Sequence, residues 1–571
     1  MRVEKTLCEV KIMKKIPYGI SNYEQLIQDG YFYIDKTKYI EKLEEISEKN
    51  IVILRPRKFG KTLFTSMLEN YYDKNKKNKF EEMYKNTYIG KNSTALKNTY
   101  SILRFNFSGI DTSNEIATLK SFKYNVMESI RVFVGKYNLD FYINEEMDAE
   151  DILNSLFTAF LLQKNEEKIY VIIDEYDHFA NELLSFNIDQ FKKLISKNGK
   201  VRKWYEVLKK GTETVVDRIF ITGVSPITLD SLTSGFNIGR DITQDERFNE
   251  MIGFTQEEVC QLLKEQEINE NEQLELLPVM KDNYDGYKFS LRANVKIFNS
   301  NMCLYFMLEY LKNREMPIKM VDTNIASDYS KIGKMLELCK GEKRFELLKK
   351  SVSGERIVCD IVQKFNPAME FTETDMLSML FYLGYLTIDG DEFEIPILKI
   401  PNKSMKEIYS DYLMKLFDEK AEYRINEEMY AEILREIATE GKIDKIVSIF
   451  EKYLNNLSNR DFIKFDEKYV KLIFYCISMN LRIYAVKSEM EVNRNYPDIL
   501  LIPRDRLKNY NSVMIEFKYL KKNEKRYLKD KQKEARDQIE RYRNFEDIKD
   551  IRKLNCYTIV VVNNEVFIER I

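Results

Sequence analysis

Hydrophobic residues in the first half of the chain come in short runs, separated by longer stretches of helical periodicity. The four runs that stand out are residues 51–54, 102–107, 169–173 and 219–222. Apolar runs of this length that alternate with amphipathic helices are typical of the central strands of a parallel sheet covered on both faces. The pattern predicts an α/β fold for this part of the chain.

The pattern changes twice further along. From about residue 254 to residue 350 it is mostly helical. A helical stretch from about residue 371 to 384 then leads into apolar residues 386–388, the turn pair Asp389-Gly390 and residues 393–395, which predicts a winged-helix-like hairpin. Modules of this kind either bind DNA or serve as packing elements, and the sequence leaves both roles open.

The last part of the chain returns to strands. Helical periodicity runs from residue 404 to about 456, and strand signals follow at residues 482–486, 499–502, 513–517 and 557–562. We therefore predict three domains, at residues 1–280, 281–425 and 426–571, of which the last is a separate α/β unit.

Composition narrows the chemistry open to the chain. Of its 571 residues, 44% are hydrophobic and 32% are charged, which disfavours disordered and low-complexity classes. There is 1 histidine, and the 7 cysteines are scattered without a CxxC spacing, so Ser-His-Asp triads, zinc knots and disulfide frameworks are not expected. Any catalysis should therefore use carboxylates, lysines and bound metal.

Nothing in the sequence indicates a membrane partner. No uncharged run approaches the roughly 18 residues that span a bilayer, and the N-terminus lacks the pattern of a signal peptide. We expect a protein of the reducing cytoplasm.

A glycine-containing loop follows the first apolar run. Residues 55–62 read Arg-Pro-Arg-Lys-Phe-Gly-Lys-Thr and precede a helical pattern that ends near residue 72, which matches the second half of a P-loop. Gly60 would let backbone amides face phosphates, Lys61 would reach the β- and γ-phosphates, and Thr62 would offer a hydroxyl to Mg²⁺. The first glycine of the motif is replaced by Arg55. The candidate ATP-binding residues of this loop are Arg57, Lys58, Phe59, Gly60, Lys61 and Thr62.

The third apolar run ends in the acidic pair Asp174-Glu175. An apolar strand that delivers two carboxylates at its end is the Walker B pattern, in which the first holds Mg²⁺ and the second polarises the attacking water. Asp174 is therefore a candidate cofactor and metal residue, and Glu175 a candidate catalytic residue. Thr222 and Ser225, at the end of the fourth run, are weaker candidates for a sensor.

A second carboxylate constellation lies near the C-terminus. Asp498 opens one apolar run, and a second run ends in Glu516-Phe517-Lys518. If the two runs form neighbouring strands, Asp498 meets Glu516, and Lys518 shares the strand face of Glu516. Two carboxylates can hold Mg²⁺, which activates a bound water, while a lysine orients that water or stabilises the transition state. Glu489 is a further candidate metal ligand.

Charge is distributed unevenly along the chain. The formal net charge is −2 overall, but residues 501–571 carry +6 and the other 500 residues −8. Between residues 518 and 533 there are 8 Lys or Arg and 2 acids, interleaved with Tyr519 and Tyr527. A basic surface with aromatic side chains suits a nucleic-acid backbone, with Lys521 and Lys522 as candidate contacts, although a solvated helix face has the same composition.

Motifs along most of the chain resemble one family, the AAA-ATPase-like proteins of bacteria and archaea that carry a C-terminal PD-(D/E)XK nuclease domain. The stretches that carry the resemblance are residues 16–19, 33–37, 55–62, 173–177, 222–226, 235–238, 284–287, 383–387 and 400–402. In that family the loop also begins with Arg. The resemblance implies a P-loop ATPase domain, a helical and winged-helix-like middle region and a C-terminal restriction-endonuclease-like domain. It also assigns an auxiliary role to Gln538 and Tyr542, which match the family's Gln-Ile and Tyr.

The leading hypothesis is an ATP- and Mg²⁺-dependent ATPase coupled to a metal-dependent nuclease that acts on nucleic acid, with DNA ahead of RNA. One alternative is a nucleotide-dependent switch whose nuclease-like domain binds nucleic acid without cutting it. Another is a structural regulator that has lost ATP binding. Homo-oligomerisation is a further expectation, with Arg218 or Arg240 as the arginine that completes a neighbouring subunit's site.

Overall fold

The computed structural model of the chain describes residues 13–164, 166–186, 199–226, 238–322, 325, 342–363, 365, 372–457, 466–488, 497–504 and 508–571. These residues form two compact units. The first comprises Met1–Asn313 and Val358–Pro401, and the second comprises Arg314–Ile357 and Asn402–Ile571.

The first unit is built on a parallel sheet of five strands. They are β1 (Asn50–Leu54), β2 (Ser101–Asn106), β3 (Ile169–Asp174), β4 (Val216–Gly223) and β5 (Arg240–Asp241), in the order β2-β3-β4-β1-β5. The α/β prediction and its four strands are confirmed, but β2 lies at the edge of the sheet and not in its centre. Because β4 lies between β1 and β3, the carboxyl ends of these three strands meet at one edge of the sheet.

Helices cover both faces of this sheet. The helices of the first unit before the hairpin are α1 (Tyr23–Gln28), α2 (Lys38–Glu44), α3 (Lys61–Tyr72), α4 (Phe80–Tyr84), α5 (Tyr88–Lys91), α6 (Glu115–Tyr137), α7 (Ala149–Gln163), α8 (His178–Phe186), α9 (Lys200–Gly211), α10 (Gln256–Glu265), α11 (Glu270–Tyr284) and α12 (Ser300–Asn313). On β2, Arg104 reaches Glu69 of α3, whereas Phe105 meets the buried Trp204 of α9 edge to face at 5.0 Å. Since successive strand residues face opposite sides, α3 and α9 lie on opposite faces.

The expected hairpin after a helix is present, but the predicted position of its turn is wrong. Two further helices follow in chain order, α13 (Glu342–Val352) and α14 (Glu373–Tyr382), and a three-stranded sheet contains β6 (Ile357–Val358), β7 (Thr387–Glu392) and β8 (Ile395–Lys399). The β7–β8 turn is Phe393-Glu394, with φ of 51° and 67°, and not Asp389-Gly390. The Asp-Gly pair instead marks an irregularity in the register of β7, between Ile388 and Gly390. Asp-Gly is also favoured at a bulge, so the local signal was assigned to the wrong feature.

The second unit contains a mixed sheet of order β13-β12-β11-β10-β9. Its strands are β9 (Tyr484–Lys487), β10 (Ile499–Pro503), β11 (Ser512–Leu520), β12 (Leu554–Val562) and β13 (Glu565–Arg570). Its helices are α15 (Lys403–Ala421), α16 (Glu427–Arg435), α17 (Asp444–Asn456), α18 (Glu467–Met479), α19 (Leu528–Tyr542) and α20 (Glu546–Lys549). The four predicted strand regions are confirmed, and β13 is an addition at the sheet edge.

Strand direction in the second unit follows its connections. The short link between β10 and β11 makes them antiparallel, whereas β11 and β12 are parallel and are joined through α19. Among the helices of the described residues, none is both long enough and apolar enough to cross a bilayer.

Gly286 gives a test of how closely the first unit is packed. Its φ is +102°, and an added Cβ would lie 2.1 Å from the carbonyl oxygen of Pro401. We expect Gly286→Ala to lower the free energy of unfolding by about 2–4 kcal/mol, through overpacking and left-handed strain. Urea unfolding followed by circular dichroism measures this. Gly390→Ala is the matched control, because a Cβ there meets no atom of the described residues within 4 Å, and equal midpoints for the two variants would contradict the packing argument.

Candidate nucleotide and metal sites

The P-loop-like segment connects β1 to α3 at the carboxyl edge of the parallel sheet. β1 ends at Leu54, and α3 begins at Lys61 with Gly60 as its N-cap. Gly60 has a φ of 104°, and Lys58 has a φ of 65°, so the segment turns twice through left-handed backbone. A glycine adopts this conformation without a steric penalty, which explains Gly60. The predicted strand, loop and helix are therefore in place.

Arg55, which stands where the motif has its first glycine, is part of the protein interior. Its side chain is buried, and its guanidinium donates to the carbonyl oxygens of Leu54 at 2.8 Å, Thr243 at 2.9 Å and Phe248 at 2.8 Å. The guanidinium carbon lies 4.2 Å from the centre of the Phe289 ring. Burial lowers the pKa of Arg55 to about 9. The arginine thus fixes the base of the loop and points away from solvent.

Two further residues of the loop, Pro56 and Phe59, contact segments that are distant in the sequence. The buried Phe59 ring packs edge to face on Tyr287 at 4.8 Å, and Ser300 Oγ donates to the carbonyl of Phe59 at 2.8 Å. A Cβ on Gly384 would lie 2.8 Å from the Pro56 ring. Tyr287 and Gly384, from two of the motifs, therefore both pack against the loop at residues 55–62.

Lys61 lies at the start of α3 and is buried. Its ammonium donates to the carbonyl oxygens of Arg55 at 3.0 Å and Pro56 at 2.9 Å. Burial lowers its pKa, against the opposing charges of Glu175 and Asp174. Thr62 is half-buried on the next position of the helix.

Asp174 ends β3 and is completely buried. Its Oδ2 is 3.6 Å from Arg104 Nη2 and 3.5 Å from Thr65 Oγ1. Its Oδ1 is buried and has no hydrogen-bond partner in the part of the chain that the structure describes. A buried carboxylate oxygen without a donor is energetically unfavourable, and a cation would satisfy it.

Glu175 follows with a φ of 51°, in the left-handed region that a glutamate rarely adopts. It is half-buried, whereas Asp177 two residues on is buried and structural. Asp177 accepts hydrogen bonds from the amides of Val224 at 3.0 Å and Ser225 at 2.7 Å, and from Ser225 Oγ at 3.1 Å. Ser225 is therefore used in fixing the loop after β4. Thr222 Oγ1, at the end of β4, is buried without a hydrogen-bond partner among the described residues.

The residues of this site fit a nucleotide with its Mg²⁺. A helix N-terminus with exposed Gly60, a lysine ammonium and a buried aspartate oxygen that lacks a donor are present at one sheet edge. Arg57 is half-buried and Lys58 is exposed. The two arginines proposed for a neighbouring subunit's site lie elsewhere. Arg218 is buried near the start of β4, and Arg240 pairs with Glu48 at 2.8 Å.

The second constellation is formed by β10 and β11 in the C-terminal unit. The antiparallel register pairs Ile499 with Ile515, which brings Asp498 opposite Glu516. The amide of Phe517 donates to Asp498 Oδ2 at 2.7 Å, and the amide of Asp498 lies 3.4 Å from Glu516 Oε2. Both carboxylates are buried. The expected adjacency of the two acids is therefore present.

Each of these carboxylates also meets a lysine. Lys518 Nζ is 2.9 Å from Glu516 Oε1, and both side chains are buried. Lys471, on α18, lies 2.5 Å from Asp498 Oδ1 and 2.8 Å from Glu467 Oε1. Lys471 is not among the residues predicted from the sequence, because its spacing of four residues from Glu467 on one amphipathic helix indicates only an ordinary ion pair along the helix.

Burial and neighbouring charges shift the pKa of one carboxylate and of one lysine in this cluster. Burial, followed by the negative charge of Asp498, raises the pKa of Glu516. For Lys471, the charges of Asp498 and Glu467 outweigh burial and raise its pKa. Two acids and their lysines therefore form one tightly coupled cluster.

The donor set of this cluster suits a hard divalent cation. Aspartate and glutamate oxygens are the ligands that Mg²⁺ prefers. Within the described ranges, no group of three or more His, Cys, Asp or Glu side chains is arranged to hold a metal. The third predicted ligand, Glu489, lies outside the described residues.

The auxiliary residues predicted for α19 differ in their surroundings. Tyr542 is buried in a hydrophobic cluster with Leu500, Met514 and Ile539. Gln538 is half-buried, and its Oε1 has no hydrogen-bond partner within the described part of the chain. Tyr542 is thus a core residue, and Gln538 is the member of the pair with an available polar atom.

The basic segment, defined as residues 518–533, lies on the surface except at its start. The exposed lysines are Lys521, Lys522, Lys525, Lys529 and Lys533. Lys525 pairs with Glu565 at 2.5 Å, and the guanidinium of Arg526 lies 4.7 Å from the centre of the Tyr527 ring, which is itself exposed. The segment therefore presents several charges and one aromatic ring to solvent.

Comparisons with known proteins match one family model to part of each unit. Residues 17–233 match the family described as Predicted AAA-ATPase, and residues 465–571 match the PD-(D/E)XK nuclease superfamily. The chain is also 25% identical over 254 residues to an "Uncharacterized protein in vnfD 5'region" of Azotobacter chroococcum mcd 1; the match covers 43% of this chain and 44% of that protein. The chain thus carries an AAA-ATPase-like domain at its N-terminus and a PD-(D/E)XK nuclease-superfamily domain at its C-terminus.

Proposed function

We propose that the protein binds and hydrolyses ATP and cleaves phosphodiester bonds of nucleic acid, with DNA as the preferred substrate and the cytoplasm as its location. The observation that carries the nuclease assignment is the meeting of Asp498, just before β10, with Glu516 and Lys518 of the antiparallel strand β11. The five cysteines that the structure describes in detail are free thiols, which supports a reducing compartment.

The nuclease site would use its residues in distinct roles. Asp498 and Glu516 would hold Mg²⁺, which when bound lowers the pKa of a water and stabilises charge on the phosphodiester. Lys518, fixed by Glu516 at 2.9 Å, would orient the attacking water or stabilise the developing negative charge. The exposed lysines of the basic segment would hold the nucleic-acid backbone beside these groups.

The nucleotide site would use the loop and the end of β3. Lys61 would exchange the carbonyl oxygens of Arg55 and Pro56 for phosphate oxygens, and α3 would direct its N-terminus at the phosphates. Thr62 and Asp174 would hold Mg²⁺, and Glu175 would polarise the attacking water. The buried arginine at the base of the loop is compatible with this role, because its guanidinium is directed inward.

A second candidate function is a nucleotide-dependent switch that binds nucleic acid without cutting it. One observation favours it. All four carboxylate oxygens of Asp498 and Glu516 are engaged by protein donors, two of them by lysines. A metal would have to share these oxygens with their present donors, so cleavage activity is the decisive measurement.

The nucleotide site is tested with Lys61→Met. We expect the affinity for Mg·ATP to fall by about tenfold or more and ATP hydrolysis to be lost, because the ammonium that contacts the β- and γ-phosphates is removed. Calorimetric titration and phosphate release measure the two effects. Lys49→Met is the matched control, since Lys49 forms an exposed ion pair with Asp217. Unchanged binding and turnover in Lys61→Met would exclude the loop from the mechanism.

The nuclease site is tested with Asp498→Asn and Lys518→Met. We expect either variant to reduce Mn²⁺- or Mg²⁺-dependent cleavage of DNA by about a hundredfold or more, since each removes a group from the reacting centre. Gel assays with single-stranded and double-stranded DNA and with RNA measure the rates and the substrate preference. Asp547→Asn, on the exposed side of α20, is the control. Binding without metal-dependent cleavage by the wild type would favour the switch instead.

The basic segment is tested in the Asp498→Asn background by reversing Lys521 and Lys522 to Glu. We expect weaker binding of oligonucleotides. The slope of log K against log salt concentration should also become less negative by roughly 0.7–0.9 for each phosphate that is no longer neutralised. Fluorescence anisotropy at several salt concentrations measures both. The control reverses the exposed lysines 442 and 445 of the same unit. An identical weakening in the control would indicate a nonspecific charge effect.

A further inference from the structure

Lys471 occupies an unusual position beside the C-terminal carboxylates. It comes from α18, outside the two strands that carry Asp498, Glu516 and Lys518. Its ammonium is held between Asp498 Oδ1 at 2.5 Å and Glu467 Oε1 at 2.8 Å. The Lys471 side chain is 14% exposed and that of Asp498 is 1% exposed, so the pair is largely shielded from water.

The ammonium contacts an oxygen that a divalent cation would need. A metal ligand must offer its lone pairs to the ion, and a positive charge within hydrogen-bond distance of the ligand repels that ion. Lys471 and a metal therefore compete for Asp498. Lys518 makes no contact with Asp498 of this kind, because its ammonium is directed to Glu516.

Glu467 gives Lys471 a second partner. It lies one helical turn earlier, and its side chain is 38% exposed, so it is at the solvent side of the cluster. Lys471 can leave Asp498 and keep the ion pair with Glu467. With all three carboxylates ionised, Glu467, Asp498 and Glu516 against the two lysines sum to one negative charge, and addition of a divalent cation makes the cluster positive by one. A positive cluster attracts a phosphodiester.

We propose that Lys471 is a positioning residue that neutralises Asp498 until a divalent cation displaces its ammonium onto Glu467, and that it thereby sets the metal concentration at which the site fills. The proposal rests on the proposed metal site of the nuclease function. It requires no bond to form or break other than these ionic contacts.

The test is calorimetric titration of the full chain with Mn²⁺, in the absence of nucleotide and nucleic acid. Binding that disappears in Asp498→Asn belongs to this site. We expect Lys471→Met to tighten this binding by about tenfold or more, because a competing charge is removed at close range. Lys471→Arg keeps the charge and is expected to retain the wild-type affinity. Lys468→Met is the matched control, because Lys468 lies on the same helix, is 62% exposed and pairs with Glu355.

Thermal unfolding with and without Mn²⁺ is a second measurement, which tests the proposal even if a variant is less stable than the wild type. Removal of one partner of a buried ion pair is destabilising, so Lys471→Met and Lys471→Gln are expected to lower the thermal midpoint without metal. Saturating Mn²⁺ is then expected to raise the midpoint of either variant more than that of the wild type.

The outcomes separate the two proposals. Equal or weaker Mn²⁺ binding in Lys471→Met, together with binding in the wild type that depends on Asp498, overturns the role of Lys471 and leaves the metal site standing. If Lys471→Met binds Mn²⁺ and the wild type does not, the result supports the proposal, because the Lys471 ammonium then prevents the cation from binding Asp498 altogether. Absence of Asp498-dependent binding in both proteins overturns the metal site and the role of Lys471 together.

Discussion

The buried guanidinium of Arg55 is the contact on which the first unit's site depends. A charge removed from water is stable only when its hydrogen bonds are replaced, and here they are replaced by the carbonyl oxygens of Leu54, Thr243 and Phe248. These carbonyls belong to β1 and to the segment after β5, while Phe289 covers the guanidinium face. One side chain thus connects segments that are distant in the sequence and fixes the base of the P-loop-like segment. A glycine at this position could give none of these contacts.

Both candidate sites combine a motif carboxylate with a basic side chain from a neighbouring element. Asp174 lies beside Arg104 of β2, and Asp498 lies beside Lys471 of α18. In each case the carboxylate is almost wholly buried, so the cation limits the cost of its charge. The two sites differ in how many carboxylate oxygens have a partner. Arg104 leaves Oδ1 of Asp174 without a partner in the described structure, whereas every oxygen of Asp498 is engaged.

Much of the architecture could be predicted from the sequence because its central strands are buried on both faces. Apolar runs identified β1 to β4, and the spacing of Asp498 and Glu516 predicted that two antiparallel strands would bring them together. Strands without that signal were missed. β5 has two residues, and β13 has no fully buried residue to mark one face.

The basic partners were missed for a different reason. Arg104 interrupts an apolar run, and Lys471 is one of many lysines on amphipathic helices, so neither type nor spacing marks it. Their importance arises from the tertiary packing of β2 against α3 and of α18 against β11. Lys36, within the motif at residues 33–37, also acquires its contacts only through tertiary packing, since its ammonium lies 2.7 Å from Glu258 Oε2 and 2.8 Å from the carbonyl oxygen of Glu250.

The displaced turn of the β7–β8 hairpin bears on how this protein would meet nucleic acid. With the turn at Phe393-Glu394, the tip carries Asp391, Glu392 and Glu394 around a phenylalanine that is 92% exposed. A negative tip repels a phosphate backbone, and an exposed aromatic ring suits an apolar protein surface. The hairpin tip is therefore electrostatically unsuited to contact with a nucleic-acid backbone, in contrast to the basic segment of the other unit.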